Sequence, residues 1–422
     1  MNRKVSICIP VVRLEQSFKC IEAIHENAGI PKEQYEVLTA IDHERIGCPK
    51  MLAKLVGRAK HDLICFLGDD TIPQKNFLKH ALEEMKKLPD EWGVVGFNSD
   101  GNDHAHWLAH RLILDLIPGG EFFPLEYHHC FGDDELKDIA QECGKWTYAI
   151  KAKVEHLHPI FAKAEYDEFY QTAYDEGKFE HDRSVYHRRR IERILANRGG
   201  RPSIAMAFPL TNAEVYSHFM FSILRIDKPW VDQLLMPDYA GNHDAVRNNL
   251  VIQALNLRCT HILMMDTDQI YCDKDMIERM VNWNQPIVGA RVHRRYPPFD
   301  PLMLRGKIGS FYTVPNDEIE AARNGSKSLI EVDATGCGCV LYDLRVFAKV
   351  NYPWFELTTN PETGKPVGED IGFCAKLKEH DYKVYVDASI EIQHLTLHAT
   401  DWGTWKTYSK IHKLEQKPGA NN

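Results

Sequence analysis

Short apolar runs recur along the chain and predict buried β-strands. Residues 5–12 and 203–210 open the two halves of the sequence, and each run carries a proline near its end. A second matching pair, residues 63–67 and 261–265, follows in the two halves. Because these runs do not alternate with polar residues, they are typical of strands covered on both faces, as in the sheets of α/β proteins.

An acidic turn follows each strand of the second pair. The first turn reads Gly68-Asp69-Asp70 and the second reads Asp266-Thr267-Asp268. After each turn, apolar residues recur at helical spacing, which predicts a strand, an acidic turn and a helix in both halves. The carboxyl ends of strands are where open α/β sheets place their ligands.

Two further features occur in both halves in the same order. Asp133-Asp134 and Glu369-Asp370 each follow a glycine and precede a helical pattern. His156 and His394 then stand at the ends of apolar strands, 24 and 26 residues after those glycines. This repeated order indicates that the chain contains two copies of one plan.

The repeat predicts an α/β protein with two tandem domains. We predict a first domain at 1–164, a charged helical linker at 165–201, a second domain at 202–415 and a disordered tail at 416–422. The acidic turn and the histidine are 86 residues apart in the first half and 126 in the second. We therefore predict an insertion in the second domain, between Arg291 and Asp333.

Composition and charge narrow the class of protein. The chain has 422 residues, 60 acidic and 51 basic side chains, and a net charge of −9, which argues against a surface devoted to polyanions. The arginines at 188–190 still permit a local basic groove. Since there is no apolar run of about 18 residues, we expect a soluble, cytoplasmic protein without a membrane span.

The acidic turns have the chemistry of a metal site. Asp266 and Asp268 stand on one side of a tight bend and could hold Mg²⁺ or Mn²⁺ against a ligand's phosphates. His394, and His156 in the first half, could complete the metal shell. The alternatives are solvated loop carboxylates and structural histidines.

The paired carboxylates before the later helices could supply a general base. One member would cap the helix, while the other, crowded by its neighbour, would deprotonate an acceptor hydroxyl. We expect Asp370 to be the base, beside Glu369, and Asp134 to be its counterpart, beside Asp133. Helix capping without catalysis is the alternative.

Together these motifs resemble the GT-A fold of nucleotide-sugar-dependent glycosyltransferases, particularly glycosyltransferase family 2. The resemblance covers residues 2–164 and 202–412, and it implies a Rossmann-like mixed sheet flanked by helices in each domain. It also implies that Asp268 and Asp70 hold the metal, with His394 as the late metal histidine and Asp266 assisting the metal or the donor ribose. Gly68 departs from the pattern, because it stands where the first aspartate of the turn would be.

The same resemblance suggests further donor contacts. Asp69 belongs to the acidic turn of the first domain, and Asp42 falls where the family has an acid that contacts the base or ribose. Arg247 falls where the family often has an arginine before the turn. A turn role for Asp42 and a surface role for Arg247 are equally open. Arg294 and Arg295 suit phosphate oxygens, or they belong to an exposed proline-rich loop.

The resemblance implies a metal-dependent, inverting glycosyltransferase that moves a hexose or pentose from a nucleoside diphosphate, with UDP expected, to an acceptor hydroxyl. The second domain is the better candidate for the catalytic centre, and the first is either a second active site or a reduced copy. A nucleotidyltransferase and a non-enzymatic scaffold of degenerate domains are the alternatives. The acceptor could be a glycan, a lipid-linked glycan, a protein or a hydroxylated base in DNA.

Overall fold

The computed structural model describes residues 4–196, 201–211, 214–237, 241–324, 327–360, 362–396 and 402–411. Contacts divide the chain into unit 1, Met1–Arg193, and unit 2, Ile194–Asn422. The predicted tail at 416–422 lies outside the described residues. No helix in the described ranges is long and apolar enough to cross a membrane, and the cytoplasmic location stays a prediction.

Unit 1 is built on a seven-stranded sheet. Its strands are β1 (Val5–Val11), β2 (Tyr35–Ile41), β3 (Leu63–Phe66), β4 (Thr71–Pro73), β5 (Val94–Ser99), β6 (Trp107–His110) and β7 (Trp146–His156). Its α-helices are α1 (Leu14–Asn27), α2 (Cys48–Arg58), α3 (Phe77–Met85), α4 (Gly132–Glu142), α5 (Glu168–Ala173) and α6 (Glu176–Ala196). The strands lie in the order β2-β1-β3-β6-β5-β7-β4.

The sheet of unit 1 is covered on both faces, which explains why β1 reads as a continuous apolar run. Val5, Ile7 and Ile9 belong to a buried cluster that includes side chains of α1 and α3. Cys8, which points to the opposite face, belongs to a second cluster that includes side chains of α2 and α4.

Unit 2 contains the following elements. Its strands are β8 (Ile204–Ala207), β9 (Val231–Leu235), β10 (His261–Met265), β11 (Gln269–Tyr271), β12 (Ile287–Arg291), β13 (Met303–Arg305), β14 (Tyr312–Thr313), β15 (Leu329–Val332), β16 (Ala334–Thr335), β17 (Cys339–Asp343), β18 (Thr358–Thr359), β19 (Pro366–Val367) and β20 (Val384–His394). Its helices are α7 (Ser217–Arg225), α8 (His243–Asn256), α9 (Met276–Asn282), α10 (Asn316–Asn324), α11 (Val346–Lys349), α12 (Glu369–Glu379) and α13 (Trp402–Ile411).

The main sheet of unit 2 repeats the topology of unit 1. Its order, β9-β8-β10-β17-β12-β20-β11, matches the order in unit 1 strand for strand. The directions also match: the first two pairings are parallel, the next two antiparallel, the fifth parallel and the last antiparallel. The predicted α/β class, a mixed sheet flanked by helices and present twice, is therefore confirmed.

Unit 2 differs from unit 1 mainly by an inserted segment. In unit 1, β6 follows β5 directly along the chain, whereas β13 to β16 and α10 lie between β12 and β17. Strand β15 adds to the main sheet by pairing with β20, and β13, β14 and β16 form a small sheet of their own. The insertion lies where the unequal spacing of the motifs predicts it.

Most of the segment predicted as a linker, 165–201, falls in unit 1, and the predicted domain boundaries stay predictions. The contact boundary falls at Arg193, and helices α5 and α6 make specific contacts within this unit. The Asp182 carboxylate accepts hydrogen bonds of 2.7, 2.8 and 2.9 Å from the backbone N–H groups of residues 128–130. Charged composition predicts a solvated helix, but here the charges pair with partners far away in the sequence.

The arginines of α6 also have partners within unit 1. Arg189 Nε lies 3.0 Å from Glu135 Oε2, and Arg193 Nε lies 3.0 Å from Glu142 Oε2. Arg188 pairs with Glu126, and Arg190 Nε lies 3.4 Å from Asp138 Oδ2. These guanidinium groups pair with carboxylates of unit 1, and a basic groove at this helix stays a prediction.

Candidate functional site

The acidic turn of unit 2 connects β10 to β11, and strand pairing brings a histidine beside it. Gln269 pairs with His394 in the antiparallel β11–β20 ladder, and the Leu395 N–H donates to the Asp268 carbonyl at 2.8 Å. The His394 Nε2 atom then lies 3.3 Å from Asp268 Oδ2. Two side chains 126 residues apart are thus held face to face by backbone register.

The tautomer of His394 follows from its second contact. Its Nδ1 lies 2.7 Å from the carbonyl oxygen of His293. A carbonyl can only accept, so Nδ1 carries the proton, and in the neutral ring Nε2 presents a lone pair to Asp268. Two acceptors that face each other in this way favour a cation between or beside them, and a second-shell carbonyl is typical of metal-binding histidines.

A cationic side chain lies across these two acceptors. The guanidinium of Arg295 pairs with the Asp268 carboxylate, and its Nε lies 3.4 Å from His394 Nε2. A carboxylate oxygen and an imidazole nitrogen that already contact a positive charge are suitable ligands for a divalent cation such as Mn²⁺ or Mg²⁺. In the described ranges, no group of three possible ligands that contains both Asp268 and His394 has its ligand atoms within 4.8 Å of one another. Asp268 and His394 are therefore two possible ligands that the structure brings together, and their role in metal binding stays a prediction.

Asp266, the first carboxylate of the turn, contacts a buried arginine. Arg247 on α8 is 3 % exposed, and its Nη2 donates to Asp266 Oδ1 at 2.8 Å. Its Nε donates to Glu369 Oε1 at 3.1 Å, while Nη1 is buried without a hydrogen-bond partner. Arg247 therefore connects the acidic turn to the start of α12 and does not lie on the surface.

Asp370, at the start of α12, has a raised proton affinity. Burial and the charge of Glu369 raise the pKa of Asp370 to about 6, although the Arg247 guanidinium opposes the rise. The Ile371 N–H donates to Asp370 Oδ1 at 2.7 Å. A carboxylate with a pKa near 6 is better matched than an ordinary aspartate to accepting a proton from a hydroxyl group.

The equivalent turn of unit 1 has the same register and different side-chain contacts. Thr71 pairs with His156 in the β4–β7 ladder, and the Leu157 N–H donates to the Asp70 carbonyl at 2.8 Å, as in unit 2. His156 Nε2 lies 3.5 Å from Asp70 Oδ1. The Tyr170 hydroxyl of α5 also donates to Asp70 Oδ2, at 2.9 Å.

These contacts bury Asp70 and keep it ionised. Burial alone would raise the pKa of Asp70, but the hydrogen bond and charge of His156, the charge of His106 and the Tyr170 hydroxyl hold that pKa well below its usual range. The guanidinium of Arg13 lies over the Phe169 and Tyr170 rings, with its Cζ 4.2 and 4.1 Å from the ring centres. Helix α5 therefore covers the acidic turn of unit 1.

The other acids of this region are held by backbone groups. Asp69 Oδ2 accepts from the N–H groups of Val12 and Arg13, both at 2.6 Å, where α1 begins. The Asp42 carboxylate accepts from the N–H groups of Ile46 and Gly47 at 2.9 Å each. These hydrogen bonds stabilise a turn and the start of a helix, so both carboxylates already bind backbone N–H groups.

Close contacts around Gly68 explain why this position favours a glycine. A Cβ atom built on Gly68 would lie 2.6 Å from Asp70 Oδ1 and 3.3 Å from His106 Nε2. His106 is 3 % exposed, and its Nδ1 lies 2.9 Å from Ser99 Oγ. An aspartate at the position equivalent to Asp266 would therefore have to displace the Asp70 carboxylate.

The two arginines of the proline-rich loop have different partners. Arg294 Nε lies 2.8 Å from Asp300 Oδ1 within the same loop, whereas Arg295 reaches Asp268 and His394. The structure thus brings Arg295, but not Arg294, to the acidic turn.

The paired carboxylates of unit 1 meet a histidine that the sequence did not suggest. His104 Nε2 lies 3.2 Å from Asp134 Oδ1. Burial lowers the pKa of His104, but its contacts with Asp134, Asp133 and Asp103 outweigh this effect and raise that pKa to about 9. Burial and the Asp134 charge raise the pKa of Asp133 to about 6, against the opposing charge of His104.

Comparison with known proteins gives distant similarities. No family model matches the sequence. A segment comprising 35 % of the chain is 27 % identical over 159 residues to ORC1-type DNA replication protein 2 of Archaeoglobus fulgidus. The chain covers 36 % of that curated relative, about a third of its length.

Two solved structures are among those to which part of this chain is similar. S. aureus TarS in complex with UDP-GlcNAc has 14 % sequence identity and a TM-score of 0.35, with 46 % of this chain and 66 % of that chain covered. A mannosyltransferase from Pyrobaculum calidifontis in complex with GDP-Man and Mn²⁺ has 12 % identity and a TM-score of 0.34, with 46 % and 65 % covered. The chain thus spans just under two thirds of each structure, and membership of glycosyltransferase family 2 stays a prediction.

Proposed function

We propose that unit 2 is the active site of a metal-dependent, inverting glycosyltransferase of GT-A type. The donor would be a nucleoside diphosphate sugar, a UDP-hexose or UDP-pentose, and the acceptor a hydroxyl group. The observation that carries the proposal is the face-to-face pair of Asp268 and His394, 3.3 Å apart at the end of β10 and β20. Arg247 connects this turn, through Asp266 and Glu369, to the helix that begins with the candidate base Asp370.

Each residue would have a separate role. Asp268 and His394 would hold Mn²⁺ or Mg²⁺, with Asp266 beside them, and the bound ion would neutralise charge on the departing diphosphate. The Arg295 guanidinium suits the diphosphate oxygens. Asp370 would take the proton of the acceptor hydroxyl at its carboxylate, and a separate base of this kind favours direct displacement with inversion.

Unit 1 is better suited to support than to catalysis. Its turn lacks the first aspartate, its remaining metal-type carboxylate is bound by Tyr170, and α5 covers it. We therefore assign the transfer reaction to unit 2 alone. The acceptor we favour is a glycan, since the arginines that suggested a polynucleotide groove are paired within unit 1.

Binding of UDP in the presence of Mn²⁺ tests the proposal. Asp268→Ala is expected to weaken Mn²⁺-dependent UDP binding by at least about tenfold, because it removes one of two ligands. Asp70→Ala is the matched control, and it should leave the affinity unchanged because Tyr170 and His156 already bind that carboxylate. Isothermal titration of the full chain measures both. Equal losses in the two variants, or no UDP binding by the wild type, would overturn the proposal.

The pH dependence of the rate provides a second check. The rate is expected to fall as the pH drops below about 6, because burial and the charge of Glu369 raise the pKa of Asp370 to about 6. Only the ionised carboxylate can accept the hydroxyl proton, so the loss is on the acid side. A profile of kcat against pH measures it, and a flat profile down to pH 4.5 would show that another group is the base.

A further inference from the structure

Unit 1 contains a second group of possible metal ligands, which the proposed function does not use. His104, Asp133 and Asp134 lie where α4 begins, and their three ligand atoms are all within 4.8 Å of one another. All three side chains are partly buried. The group combines an imidazole nitrogen with carboxylate oxygens, a ligand set that suits zinc and similar divalent ions.

The spacing of the closest two atoms fits a shared ion. Zn–N and Zn–O bonds are about 2.0–2.2 Å long, so two ligands of a tetrahedral ion lie about 3.4 Å apart. His104 Nε2 and Asp134 Oδ1 are 3.2 Å apart. This separation suits two ligands of one ion as well as it suits a direct ion pair.

The other nitrogen of His104 is fixed from outside the ligand group. Its Nδ1 lies 2.6 Å from Asp103 Oδ1, and Lys137 Nζ donates to both oxygens of Asp103, at 2.6 and 2.8 Å. An ionised carboxylate only accepts, so Nδ1 donates and Nε2 is directed at Asp134. A carboxylate that orients the ligand histidine in this way is the usual second shell of a zinc site.

In unit 2, an arginine binds one carboxylate of the equivalent acidic pair. Arg247, which lies 14 residues before the first residue of β10, His261, binds Glu369. In unit 1, the residue 14 positions before Leu63 is Pro49, which carries no charge. Asp133, the counterpart of Glu369, therefore lacks this guanidinium, and Lys137 pairs with Asp103 nearby.

We propose that His104, Asp133 and Asp134 bind one divalent transition-metal ion, with Asp103 as the residue that orients His104. The ion would occupy the electrostatic role that Arg247 has in unit 2 and would fix the start of α4 to the loop before β6. In that state the two carboxylates are metal ligands, so they are not available as a general base.

A second histidine group in unit 1 must be separated from this site. His128, His181 and Asp182 also have ligand atoms within 4.8 Å of one another. Asp182, however, already accepts three backbone hydrogen bonds of 2.7–2.9 Å. Its carboxylate is therefore used to hold the loop at 128–130, which leaves His104 and its partners as the better ligand set.

Zinc titration of the full chain tests the proposal. The background variant is Asp268→Ala with His128→Ala, which removes a ligand from each of the other two candidate sites. We expect this protein to bind one equivalent of Zn²⁺ by isothermal titration and to melt at a higher temperature when Zn²⁺ is added. Adding His104→Ala should abolish both effects, and adding Asp103→Asn should weaken binding by about 10- to 100-fold.

The controls separate a metal site from an ion pair. His80→Ala, which replaces a partly exposed histidine beside Glu83 on α3, should leave Zn²⁺ binding unchanged. Asp134→Asn keeps the side-chain shape and should reduce binding if His104→Ala fails to fold. A background protein that binds no Zn²⁺, or binding that persists in both His104→Ala and Asp134→Asn, would overturn the proposal and leave a protonated His104 paired with Asp134.

Discussion

Replacing Asp370 with asparagine is expected to lower kcat by about 10²- to 10⁴-fold, the usual contribution of a general base. Asparagine keeps the shape of the side chain and the hydrogen bond from the Ile371 N–H, but it cannot accept the acceptor proton. Donor binding should change little, because the proposed function assigns the donor to Asp268, His394 and Arg295, which contact one another. Steady-state kinetics, with KM and kcat measured separately, checks both expectations.

The matched control for this prediction is Asp134→Asn, the equivalent change in unit 1. Asp134 contacts His104 in a unit whose acidic turn is covered by α5, so this change should leave kcat within about twofold of the wild type. Comparable losses in Asp134→Asn and Asp370→Asn would mean that both units catalyse, which contradicts the assignment of transfer to unit 2.

Replacing Arg247 with methionine is expected to destabilise unit 2 by about 3–5 kcal/mol, the cost of removing one partner from a buried ion pair. The guanidinium is 3 % exposed and contacts two carboxylates, Asp266 and Glu369, at 2.8 and 3.1 Å. Without it, both acids stay partly buried and lose their counter-charge. Urea unfolding, followed for the transition of unit 2, measures the change in free energy of unfolding.

Two further variants make this prediction specific. Arg247→Met combined with Glu369→Gln should recover part of the lost stability, because one of the unpaired charges is removed. Arg323→Met breaks exposed pairs with Glu320 and Glu391 and should cost less than about 1 kcal/mol. If Arg247→Met costs no more than Arg323→Met, the buried arginine does not hold the turn and helix α12 together.

The repeat and its site geometry were accessible from the sequence. Asp268 and His394 could be placed together because acidic residues at strand ends meet at one edge of a sheet, and their order repeats in the first half. The register confirms this alignment, since Thr71 faces His156 just as Gln269 faces His394. The pattern of apolar residues predicts where each strand ends, and so it also predicts which residues stand at the strand ends.

The side-chain contacts that distinguish the two units could not be predicted from the sequence. Tyr170 reaches Asp70 across 100 residues, from a segment whose charged composition suggested a linker. His104 lies in a loop with no periodic pattern, and only the fold brings it to Asp134. Side-chain pairings of this range depend on tertiary packing, for which hydrophobic periodicity carries no signal. The Gly68 departure was the one local sign that the first turn differs.

The central claim is that unit 2 transfers a sugar from a nucleoside diphosphate. The most direct measurement is to incubate the full chain with Mn²⁺ and nucleotide sugars labelled in both the sugar and the nucleotide, with the acceptor pool varied, and to identify the released nucleotide. The account predicts release of the nucleoside diphosphate with transfer of the labelled sugar, in wild type and Asp70→Ala but not in Asp268→Ala. Release of a nucleoside monophosphate, or no consumption of any donor, would contradict it.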